Sequence, residues 1–174
     1  MTDPDHTAAD PRTEVLAVVQ ASPGRRVLGI TSLGLLGVMV IYLALSSSPE
    51  PVWRVFLLVL GAAAIWMADM MRRATASRIE LTETELRDSD GTLIARVEEI
   101  DGMDRGFFAF KPSNGFLLRT RAGAQRTWRP GLWWRLGRRI GIGGMTPGSQ
   151  TKVMSEIIAV MLARREMAAE PPQD

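Results

Sequence analysis

Two apolar runs, Val27–Leu45 and Val52–Met71, stand back to back near the front of the chain, separated by Ser46-Ser47-Ser48-Pro49-Glu50-Pro51. At about 1.5 Å of rise per residue, each is long enough to cross a hydrocarbon layer of about 30 Å as a helix. The first run holds no ionisable residue. The second has Arg54 in its first turn and Asp69 in its last, where a charged head reaches the interface. Asp69 precedes Arg72 and Arg73 by three and four residues, a spacing that brings ion-pair partners together on a helix. The pattern predicts a transmembrane hairpin over residues 25–73, with spans 27–45 and 52–71. Gly29, Gly34 and Gly37, with Gly61 and the alanines after it, let two backbones approach closely.

Beyond Arg78 the period changes. Arg78–Thr82 alternates polar and apolar residues, Glu85–Arg87 continues after a break, and Asp88-Ser89-Asp90-Gly91 is a hairpin turn signal. Leu93–Ile100, Phe107–Lys111, Phe116–Arg121 and Gln125–Arg129 read as further strands, with turns at Pro112–Gly115, Ala122–Ala124 and Pro130-Gly131. The last segment is helical. Thr146 is placed to cap it, Pro147 suits its first position, and Val153, Met154, Ile157, Ile158, Met161 and Leu162 recur at three and four. Residues 1–24, with Pro4, Pro11 and Pro23, read as a disordered tail carrying one short apolar patch, Val15–Val19. Residues 169–174 read as a second tail, which leaves a folded domain over 78–168.

Charge adds an orientation and an asymmetry. Arg25, Arg26, Arg72 and Arg73 flank the outer ends of the hairpin, whereas the linker itself has no basic residue. Positively charged flanks stay in the cytoplasm, so both termini are expected there and the linker outside, in a bacterial inner membrane. Tyr42 and Trp53 would sit near one membrane interface and Trp66 towards the other. Within the domain, nine acidic residues fall between Glu80 and Asp104, and none between Arg105 and Thr151. Pairing of strands from the two halves would neutralise these charges; otherwise a basic face is exposed. The chain has no cysteine, which excludes disulfides, thiolate metal sites and cysteine catalysis. Its one histidine, His6, lies in the front tail.

The order of elements resembles the bacterial pleckstrin-homology-like domains tethered to membranes. Leu81-Thr82-Glu83-Thr84-Glu85-Leu86-Arg87 resembles the opening hairpin of that family and Ile94–Ile100 its following strand. The resemblance implies an α+β membrane protein: a helical hairpin, then a small antiparallel barrel-like domain closed by a C-terminal amphipathic helix. It implies binding and assembly, not catalysis. The stretch Trp133–Gly144 is longer and more basic than that pattern.

The candidate contact surface is Trp128, Arg129, Trp133, Trp134, Arg135, Arg138 and Arg139. Indole and guanidinium groups together suit a lipid headgroup layer or a protein interface; core tryptophans beside solvated arginines are the plain alternative. The expected partners are therefore the bilayer, a membrane protein or a second copy, and anionic lipid, with no nucleic acid and no cofactor. Gly141–Gly148 lacks the lysine and hydroxyl residue of a phosphate-binding loop and reads as a tight reversal before the helix. Glu98, Glu99, Asp101 and Asp104 cluster without a histidine, and no base–nucleophile pair is evident. A non-catalytic accessory or scaffolding protein is the main expectation. A transporter or proton-linked factor using Asp69 is the second, and an enzyme acting on lipids the third.

Overall fold

A computed structural model describes residues 14–47, 50–103 and 112–169. The elements in chain order are β1 (Ala17–Gln20), α1 (Pro23–Ser46), α2 (Pro51–Ala74), β2 (Arg78–Leu81), β3 (Glu85–Asp88), β4 (Leu93–Arg96), a 3₁₀ turn at Val97–Glu99, β5 (Ile100–Met103), β6 (Phe116–Arg129), β7 (Trp133–Ile142) and α3 (Gly148–Ala169). Two long apolar helices followed by an α+β domain form a membrane-associated architecture.

Both long helices start on a proline, whose fixed φ and missing N–H suit a first helical turn. α2 ends on Arg72 and Arg73, which favour the negative end of its dipole. The pair crosses at Gly37 and Gly61. A Cβ on either glycine would lie 2.9 Å from the other's carbonyl oxygen, so only glycine permits this approach. Elsewhere the two helices turn their large side chains outward, as at Leu35 and Trp66. Only 11% of each span's most apolar window is buried, which is unlike the core helix of a soluble domain.

The strands form two antiparallel sheets, ordered β1-β2-β3-β4 and β5-β6-β7. Neither closes on itself, which corrects the expected barrel-like, pleckstrin-homology-like fold. The break falls where Leu93–Ile100 was expected to be one strand. Val97–Glu99 winds into a 3₁₀ turn, so β4 stays in the first sheet and β5 begins the second. Ala122–Ala124 is not a turn either. It is an irregularity inside the 14-residue β6, where the register against β7 shifts between Arg119 and Thr127. Opposite it, Gly137 takes φ +61°, a left-handed conformation that glycine adopts freely. β7 therefore extends through the stretch that departs from the family pattern.

Part of the front tail, expected to be disordered, is instead a strand. Ala17–Gln20 pairs with β2, Val19 opposite Ile79, and Val19 is fully buried. The expected strand Phe107–Lys111 and the tails 1–13 and 170–174 lie outside the described residues.

The core lies between the sheets and α3, which contributes Thr151, Met154, Ile158 and Leu162. Each large aliphatic residue buried there contributes about 1.5–3 kcal/mol. Thr146 does not cap α3 as expected: its hydroxyl is buried with no hydrogen-bond partner among the described residues. Thr151 ties the first turn down instead, donating to the Asn114 carbonyl at 2.6 Å.

Candidate functional site

The Trp/Arg segment divides by strand parity. Successive residues of a strand point to opposite faces, and Trp133 and Arg135 both point inward. Trp133 donates from Nε1 to the fully buried Asp88 Oδ2 at 2.9 Å, which ties β7 to β3. Arg135 fills the inside of the bend in the β6–β7 ribbon. It donates to the Gly137 carbonyl at 3.4 Å, to the Thr120 hydroxyl and Ala122 carbonyl at 3.5 Å each, and to the Ile94 carbonyl on β4. Burial pushes its guanidinium below the ordinary arginine value. These two residues join the sheets, and their burial leaves them little surface to offer lipid or a partner.

The other members face out or lie at an edge. Trp128 is 50% exposed. Trp134 lies over Gly141, where a Cβ would fall 2.3 Å from the indole. Arg129 pairs with Asp90. Thr92 and then Arg129 hold the Asp90 carboxyl below its usual range. Arg138 is exposed, and its Nε donates to the Thr120 carbonyl at 3.0 Å. Arg139 is exposed and sits directly across the ladder from Arg119. Arg119 and Arg121 both reach Asp101. The acidic and basic halves thus neutralise each other in part, through Asp90 and Asp101, and an arginine-rich outer face remains.

Where this ribbon meets the helices was not foreseen. β7 bends until its two ends meet: Gly143 donates to the Leu132 carbonyl and Met145 to the Gly131 carbonyl, each at 2.9 Å. Gly144 donates to the Ser113 carbonyl at 2.8 Å. These consecutive amides are all engaged by protein carbonyls, so the glycine-rich loop is a packed reversal and not a phosphate cradle. The ribbon tip then rests on the hairpin. Gly131 lies against Thr75 and Met145, and a Cβ on Gly29 would meet the Met145 methyl at 2.3 Å. Ser22 donates to the Met145 carbonyl at 2.8 Å and Arg25 to the Thr146 carbonyl at 3.1 Å. The start of α1, the end of α2 and the ribbon tip therefore form one junction, with Trp128 three residues before Gly131 in sequence. A turn of glycine and proline gave no hint of this, because packing between distant segments leaves no local period.

At the hairpin, both carboxylate oxygens of Asp69 are occupied, by Arg72 and Arg73 at 2.7 Å each. Arg26 crosses to the Arg72 carbonyl at 3.2 Å. Tyr42, Trp53 and Trp66 point outward, and Trp53 meets Phe56 edge to face at 5.8 Å. Arg54 is exposed in the first turn of α2. Among the described residues, no group of three or more histidine, aspartate or glutamate side chains is arranged to hold a metal. Comparison with protein-family models, with curated proteins and with solved structures found no match.

Proposed function

We propose that this protein is a non-catalytic accessory component of a bacterial inner membrane, anchored by α1 and α2, with its α+β domain seated on the cytoplasmic face as a docking platform for a membrane-protein partner. The pairing of β1 with β2 carries this reading. β1 ends three residues before α1, and β2 begins four residues after α2. If both helices cross, strands paired in one sheet must lie on one side, as a hairpin requires. β1 also argues against a cleaved leader, since removing α1 with everything before it would strip Val19 from the core. The four arginines at the junction side favour the cytoplasm for that side.

The junction supports docking over loose tethering. Because the ribbon tip packs on the helix ends, the domain keeps one face towards the headgroups. Trp128, half exposed on β6 close in sequence to the ribbon tip, suits such a boundary, where indole is favoured. The double ion pair of Asp69 supports a positioning role there rather than proton transfer. Asp69→Asn is accordingly expected to leave membrane function intact; abolished function with intact assembly would favour a proton-linked role. Purification of the full chain from native membranes in mild detergent tests the docking reading. Recovery of one membrane protein in fixed ratio is expected, and the chain emerging alone would refute it.

A further inference from the structure

α3 has a second apolar stripe besides the one that enters the core. Val153, Val160 and Met167 are 51%, 52% and 67% exposed and recur every seven residues. At 3.6 residues per turn this spacing keeps them in line to within about 20°. Thr151, Ile158 and Leu162, which enter the core, point to the opposite side. A cleft of about 970 Å³ opens along one flank of the outer face, with Leu16, Val97 and Met161 among its walls.

We propose that this face is where two copies of the chain associate, their α3 helices antiparallel and centred on Val160. The sequence is self-complementary about that residue. In this register Val153 meets Met167, the half-buried Ile157 meets the small Ala163, and Val160 meets itself. Glu156 of each copy meets Arg164 of the other, twice by symmetry. All these residues lie within about 60° of the Val160 direction, so they share the seam. A parallel pair would instead set Glu156 against Glu156 and Arg164 against Arg164, and like charges opposed on a seam disfavour that arrangement. The pairing charges are available. Glu156 has only a 3.9 Å contact with Lys152 on its own helix, and among the described residues Arg164 has no ion pair. One helix face covers less than the ~1,200 Å² typical of stable soluble interfaces. Confinement to a membrane plane raises the effective concentration enough for so small a surface to act. This proposal goes beyond the docking role: a chain that recruits a membrane partner as a monomer would sink the dimer alone.

The absence of cysteine makes the test clean. Full-length single-cysteine variants in native membranes are treated with a short bis-maleimide. Val160→Cys is expected to cross-link to itself at least tenfold more than Gln125→Cys, an exposed control on β6. Val153→Cys is expected to cross-link with co-expressed Met167→Cys but not with itself. In the Val160→Cys background, Glu156→Arg should cut the yield at least fivefold, and adding Arg164→Glu should restore it. Self-cross-linking of Val153→Cys would establish the parallel arrangement and overturn the proposal. Yields at Val160 no higher than at Gln125 would overturn it equally.

Discussion

Trp133 and Trp128 lie on the two strands of one ribbon. They share a residue type and a hairpin, yet Trp133 is buried and bonded to Asp88 while Trp128 is half exposed near the helix ends. Arg135 and Arg138 repeat the contrast, one inside the bend and one outside it. Composition alone marks all four as candidates for contact with lipid or protein. Strand parity and the register shift in β6 separate them: two hold the sheets together and two stay on the surface.

Arg135→Ala should break this contrast most severely. It removes the donors Arg135 gives to the Ile94, Gly137 and Ala122 carbonyls and to the Thr120 hydroxyl and leaves a void, so a loss of about 3 kcal/mol or more is expected in denaturant unfolding of the detergent-solubilised protein. Arg135→Lys should recover little, since an ammonium cannot reproduce a planar fork of donors. Trp133→Phe keeps most of the packing but deprives Asp88 of its 2.9 Å donor, and about 1–3 kcal/mol is expected to be lost. Trp128→Ala and Arg138→Ala should each change stability by about 0.5 kcal/mol or less. Trp128→Ala should nonetheless lower recovery of the membrane partner, which Arg138→Ala tests for the outer arginines. If Trp128→Ala unfolds the domain as readily as Trp133→Phe, the division by parity is wrong.

The smallest expected effect is acid sensitivity at Asp90. Its carboxyl is held below the ordinary range by Thr92 and Arg129, so the stabilisation is complete above about pH 4 and is lost as the pH falls through the lowered folded value. Asp90→Asn should flatten that part of the stability profile without moving the neutral-pH plateau by more than a few tenths of a kcal/mol, because the pair is partly solvated.

The hairpin, the Asp88–Gly91 turn and α3 were legible because each writes its own period or turn chemistry into consecutive residues. β1 was not. Four residues cannot show a convincing alternation, and its partner β2 arrives only after both long helices. The irregularity at Ala122–Ala124 was misread because small residues that end a strand also permit it to kink. Arg135 was misread because arginine is rarely buried, and only the four oxygens gathered around it explain its position. The two-sheet split depended on a single 3₁₀ turn at Val97–Glu99, a local choice that no hydropathy pattern announces. Val153 read as part of the apolar stripe of α3, yet it is 51% exposed, because spacing alone does not show where on a helix the core ends.

All of this depends on α1 and α2 crossing a bilayer with the domain on the arginine-flanked side. The most direct measurement labels single cysteines in intact cells with a membrane-impermeant maleimide, at Ser47 in the linker and at Gln125 in the domain. The account predicts that Ser47→Cys reacts from outside while Gln125→Cys reacts only after the membrane is opened. Labelling of Gln125→Cys in intact cells, or recovery of the full chain in the soluble fraction, would contradict it.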